Sequence, residues 1–176
     1  HFARIFEKKN LNNKENQIKN EVSKSEKVKT EEDISMEWTI NHDLLYTLLC
    51  ISFFADQEID ESEKDAIFES YKRFIPDVDN DSFNRDFGIT TEKFIDLRSE
   101  ESRQKQFDES LSVLHDNKYY TSGKLIELTS CYVDIANADD FIHENEVVLI
   151  QRAINIWSLN IKVEKPKSGD KLIVQN

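Results

Sequence analysis

The sequence predicts an all-α fold, a compact multi-helix bundle built from two copies of a helix–acidic turn–helix unit. Three observations carry that expectation. Gly (3) and Pro (2) are scarce among the 176 residues, too few for the turns of a β-sandwich or the glycine loops of a dinucleotide-binding sheet. Apolar residues recur at helical spacing over most of residues 38–160. One acidic turn is written twice, as Ala55-Asp56-x-x-Ile59-x-Glu61-x-Glu63 and as Ala138-Asp139-x-x-Ile142-x-Glu144-x-Glu146, at an offset of 83 residues.

The elements follow in order. Residues 7–33 are Lys, Glu, Asn and Ser with few hydrophobes; they bury too little apolar surface to offset ordering entropy, so residues 1–37 are expected to be a charged linker or the end of an upstream region. The first helix starts near Trp38, with a stripe at Leu44, Leu45, Leu48, Leu49 and Phe53. It is apolar on several sides and is expected to be central. A second helix runs from about Asp60 to Phe74; Asp60 and Glu63 give an acidic capping-box pattern, and Pro76 stops it. Its inward stripe is Ala66, Ile67, Tyr71 and Phe74. "PDVDNDSFNRDF" (76–87) reads as a polar acidic connection, followed by a short helix over "TTEKFIDLR". Phe107, Leu111 and Leu114 then mark another helix. Thr121 or Ser122 is a candidate N-cap for a helix through Leu125, Leu128, Tyr132 and Ile135. The last helix runs from about His143 to Leu159. Residues 161–176 read either as a short hairpin about Ser168-Gly169 or as a tail. The expected domain is 38–160, followed by a C-terminal tail or linker over 161–176.

The repeat extends beyond the turn. At the same offset Leu45 matches Leu128, Leu49 matches Tyr132, Ile67 matches Ile150, Tyr71 matches Ile154 and Phe74 matches Trp157. A helical hairpin cannot bury its apolar face alone, so two copies packed together make a natural core.

Charge narrows the partners. Residues 43–160 carry 11 Lys/Arg against 25 Asp/Glu, and such a domain repels phosphate backbones, so nucleic acid is not expected. Cations and basic protein surfaces are. Cys50 and Cys131 lie on apolar helical stretches as core thiols; with no CxxC pair, a disulfide framework is not expected and a reducing compartment fits. No run of 18 apolar residues is present. A cytoplasmic setting follows, with membrane association only through a region upstream of His1.

In the turns, Asp60 can cap a helix, and Glu61 and Glu63 suit its positive end; Ile59 and Ile142 plug the turns into the core. Asp56 is less easily explained, because Asp near a helix C-terminus is unfavourable. In the second copy His143 replaces Asp60, yet Asp139, Glu144 and Glu146 remain. Carboxylates at these positions could hold a divalent cation such as Ca²⁺ or Mg²⁺, which take oxygen ligands. They are not EF-hands: with Ile59 at loop position 8, Ser52 and Phe54 fall at positions 1 and 3, and Gln57 replaces the glycine of position 6. His42, His115 and His143 lack ligand-like spacing, and Tyr119-Tyr120 is expected to pack between helices.

Ala-Asp-x-x-Ile-x-x-x-Glu between apolar helices, written twice in an acidic all-helical domain, resembles the TerB (tellurite-resistance) superfamily. The resemblance covers roughly residues 38–160 and departs at Gln57 and Asp140, where that family usually has Gly after the Asp. It implies a bundle of about seven helices and a bacterial stress-response role with acidic residues suggested to bind metal, and it supplies no reaction. The expectation is therefore a non-enzymatic interaction module with a protein partner or neighbouring domain. Its expected site residues are Asp56, Asp60, Glu63, Asp139, Glu144 and Glu146, with no catalytic residue. The alternatives are a metal-dependent hydrolase using the two carboxylate clusters and a purely structural docking domain of a longer, membrane-anchored protein.

Overall fold

A computed structural model describes residues 37–56, 61–138, 142–164 and 171–175, with backbone only at 54–56. Among them are six α-helices: α1 (Ile40–Asp56), α2 (Glu61–Phe74), α3 (Asn80–Asp96), α4 (Glu100–Asp116), α5 (Ser122–Ala136) and α6 (Glu144–Ile156). The resemblance implied about one more. Two short strands follow, β1 (Lys162–Glu164) and β2 (Ile173–Gln175).

Helix α1 packs on all five other helices, as its all-round apolar sequence requires. Leu44, Leu45, Leu48 and Leu49 are buried, together with Tyr46, Cys50 and Ile51 on the other faces. The duplicated hairpins α1–α2 and α5–α6 pack on one another, with α1 on α5 and α6, and α2 on α5. Exchanging the copies turns the α1–α6 contact into the α5–α2 contact, so the packing follows the repeat. All five matched pairs are in the core, from Leu45 and Leu128 to Phe74 and Trp157.

The spacer differs from its sequence reading. Residues 76–87 are not one polar connection: α3 begins at Asn80 and continues through "TTEKFIDLR". Asp79 starts it by accepting the Ser82 N–H at 2.7 Å. Phe83, Phe87, Thr90 and Phe94 then form one buried stripe. Three phenylalanines and a threonine at helical spacing do not stand out along the chain, because the residues between them are mostly polar and acidic. Helix α4 is capped by Ser99 through the Ser102 N–H, and α5 by Thr121 through the Lys124 N–H. Phe107, Leu111 and Leu114 are buried as expected.

The C-terminal segment takes the hairpin alternative. β1 and β2 pair antiparallel with Val163 opposite Val174; β1 packs on α6 and β2 on α5. Ile161, Val163 and Leu172 join the core. Apolar side chains spaced two apart put one face of each strand on the bundle, so the hairpin packs against α5 and α6 beyond residue 160.

Candidate functional site: the paired acidic turns

The second turn is built from the end of α5 to the start of α6. Helix α5 closes at Asn137, whose backbone N–H reaches the carbonyls of Val133 and Ile135. The Asn137 amide then clamps the backbone of Leu172 from both sides, donating to its carbonyl at 3.1 Å and accepting its N–H at 2.8 Å. Ile142 is buried, as the plug reading expects. His143 is the N-cap of α6 and Glu146 its third residue. The Glu146 carboxylate accepts the His143 backbone N–H at 2.8 Å, the return half of a capping box. It is only 2 % exposed. Glu144, one residue into the helix, is exposed.

In the first turn Asp56 is the last residue of α1, and Glu63 is the third of α2, 5 % exposed. Glu63 and Glu146 thus hold the same helical position and the same degree of burial. Acids in the first turn of each helix meet its positive end. The side chain of Asp56, with Asp60 and Asp139, lies outside the described residues. Among the described residues no three His, Cys, Asp or Glu side chains are grouped so as to hold a metal ion. The carboxylate donor type itself suits Ca²⁺ or Mg²⁺, and of the expected ligands Glu63, Glu144 and Glu146 are the ones whose side chains are described.

One polar cluster escaped the sequence reading. At the other end of α1 from its acidic turn, His42 and Asp43 are buried, as is Asp86 on α3. Asp43 accepts the Trp38 indole N–H at 2.9 Å and the Ser110 hydroxyl at 2.8 Å. Asp86 accepts the Tyr71 hydroxyl and the Arg85 Nε–H, each at 3.2 Å. Burial first, then Asp86 beside it, pushes the Tyr71 phenol well up, so it remains a donor. His42 Nδ1 accepts the Thr39 backbone N–H at 2.9 Å. The signal for this cluster was Thr39-x-x-His42, a capping-box spacing with histidine in the glutamate's place, followed by Asp43 at the mouth of an otherwise apolar helix.

A pocket of about 260 Å³ lies nearby, between the start of α1, the end of α2 and the α4–α5 loop, lined by Ile40, Asn41, Phe74, Ile75, Asn117, Tyr119 and Tyr120. Tyr120 is buried, stacked near Phe74, whereas Tyr119 is half-exposed and donates its hydroxyl to the Phe74 carbonyl. The packing role expected for the pair holds fully for Tyr120 alone. His115 is a surface histidine; Cys50 and Cys131 are buried free thiols, as expected. Among the described residues no helix is long and apolar enough to cross a membrane.

Compared with protein-family models, curated proteins and solved structures, the chain matches none.

Proposed function

We propose that this chain is a non-enzymatic, TerB-like interaction module of a bacterial stress response, whose two acidic turns act as equivalent holders of a divalent cation and whose acidic surface engages a protein partner or neighbouring domain. The observation that supports it is the matched burial of Glu63 and Glu146 (5 % and 2 % exposed) at the same step of a repeated hairpin. The same acid is withdrawn from water at the same step of both hairpins, and each copy also carries Asp56 or Asp139 seven residues before it in the sequence; that recurrence fits a shared ligand. Ca²⁺ and Mg²⁺ are the cations the donor type suits. The 25 acids against 11 basic residues over 43–160 suit a basic partner surface.

A second reading has its own support in the second turn, where the Glu146 carboxylate accepts the His143 N–H; on that reading the repeated acids are helix caps and nothing more. Thermal melts in chelator and in millimolar Ca²⁺ or Mg²⁺ separate the two. A cation site raises the melting temperature with ion concentration, and the rise shrinks in the Asp56→Asn, Asp139→Asn double variant. Clustered carboxylates without the ion repel, so Glu63→Gln or Glu146→Gln stabilises the chelated protein. An unchanged wild-type melt, no heat of binding, and a loss on the order of 1 kcal/mol in each Gln variant would leave capping as the whole explanation. The hydrolase and docking-domain alternatives gain no supporting observation among the described residues.

A further inference from the structure

The cap of α1 differs chemically from that of α6. Where α6 uses a carboxylate at its third position, α1 uses the His42 imidazole. Thr39 precedes α1, and its backbone N–H points at His42 Nδ1 from 2.9 Å, with the Thr39 hydroxyl at the same distance. An amide N–H can only donate, so Nδ1 is the bare nitrogen and the neutral ring carries its proton on Nε2. That N–H is buried and has no hydrogen-bond partner among the described residues; a carboxylate oxygen, Asp86 Oδ1, lies 4.0 Å away. The Trp38 ring lies against the imidazole, with centroids 5.2 Å apart, and its indole N–H is tied to Asp43.

We infer that Thr39, His42 and Trp38 form an acid-released clasp on the first turn of α1, closed while His42 is neutral and opened when a proton from solvent binds Nδ1. Two donors, Nδ1–H and the Thr39 N–H, would then face each other across a hydrogen-bond distance, and the cap must break. The imidazolium would turn its protons towards Asp86. Because every other helix packs on α1, its first turn is where a local opening reaches the most neighbours.

The charged and titratable groups around the ring are Asp43 on its own helix, Asp86 and Arg85 on α3, Tyr71 of α2 through Asp86, and Tyr120 of the α4–α5 loop near Asp43 and Tyr71. Burial keeps both phenols protonated. Burial is also the largest influence on His42, holding it below its ordinary 6.5 against the opposing pull of Asp86 and then Asp43. The folded protein therefore binds this proton less readily than the unfolded chain does. The stabilisation is complete above about pH 6.5, declines as pH falls below that value, and stops declining beneath the folded pKa.

The test uses the full chain, uniformly ¹⁵N-labelled and titrated from about pH 7.5 to 5. The Thr39 amide and the Trp38 indole N–H should shift together, with one midpoint below 6.5, while amide exchange at Thr39 rises. His42→Asn keeps an oxygen acceptor near the Nδ1 position and cannot titrate, so it should show neither change, although His1, His115 and His143 remain. The wild-type urea midpoint should fall relative to this variant over the same range. A Thr39 amide that stays fixed through the titration, or that moves equally in His42→Asn, would overturn the clasp. If His42→Asn does not fold, the wild-type imidazole ¹⁵N shifts decide. A bare Nδ1 that gains its proton on the Thr39 midpoint supports the clasp, and a ring that titrates while Thr39 stays still removes it.

Discussion

Leu45 and Leu128 hold the same place in the two hairpins and both are fully buried, yet different neighbours bury them. In the first hairpin α1 is enclosed by α2, α3, α4, α5 and α6. In the second, α5 rests on α1, α2 and α6 and is covered further by β2 of the C-terminal hairpin. The ends differ too. Asn137 ties the second turn to Leu172 by two hydrogen bonds; the residue at its place in the first copy is Phe54, which has no side-chain donor or acceptor. Arg73 of α2 reaches Asp134 of α5 at 2.7 Å, and the matched positions, Ile156 and Ile51, cannot repeat it. The repeat thus specifies the inner faces of the hairpins, while the unrepeated segments between and after the copies set what each outer face meets. Equal motifs do not make equal environments.

Three measurements sharpen or break this comparison. The largest effect is in the core. Leu45→Ala and Leu128→Ala remove the same atoms, and each should cost about 2–5 kcal/mol in urea unfolding. Leu45→Ala should be the costlier, because a helix packed on all sides has less freedom to collapse into the cavity. Equal losses would mean the two copies are alike in their surroundings after all.

Next comes the strap on the second turn. Asn137→Ala deletes both bonds to Leu172 and leaves that backbone unpaired there; a loss of about 1–3 kcal/mol is expected. Amide exchange should quicken at Leu172 and at the end of α5, and not at the end of α1. Quickening at both turns alike would show that the strap does not distinguish them.

The smallest effect is at the helix–helix ion pair. Arg73 and Asp134 are each about half exposed, so a double-mutant cycle over Arg73→Gln and Asp134→Asn should return a coupling of about 0.2–1 kcal/mol that weakens with added salt. Arg73 also approaches the Cys131 sulfur at 3.6 Å, a contact that cancels in the cycle; a coupling indifferent to salt would mean that no ion pair links the two hairpins there.

Much of the fold was legible along the chain. Helical spacing located α1, α2, α4, α5 and α6, because an apolar stripe that must leave water has one period in a helix and keeps it in the sequence. The offset of 83 located the paired hairpins, and each matched pair is buried. α3 was read only in its second half: Phe83 and Phe87 sit among Asp, Asn and Arg, and a stripe that narrow does not stand out from polar neighbours. The hairpin at the end was one of two open readings, since a strand of three residues has too few positions to establish a period.

The candidate site divides the same way. The sequence by itself fixed which acids recur, their place at the start of the second helix of each hairpin, and the central position of α1. Only the tertiary structure decided that Glu63 and Glu146 are withdrawn from water while Glu144 is not, for burial depends on which neighbour covers a helix's first turn. It also decided that His42, Asp43, Tyr71, Asp86 and Ser110, drawn from four helices, converge at one end of α1. Local chemistry is written in residue spacing; a meeting of side chains from α1, α2, α3 and α4 is set by how helices cross, and no spacing along one helix records that.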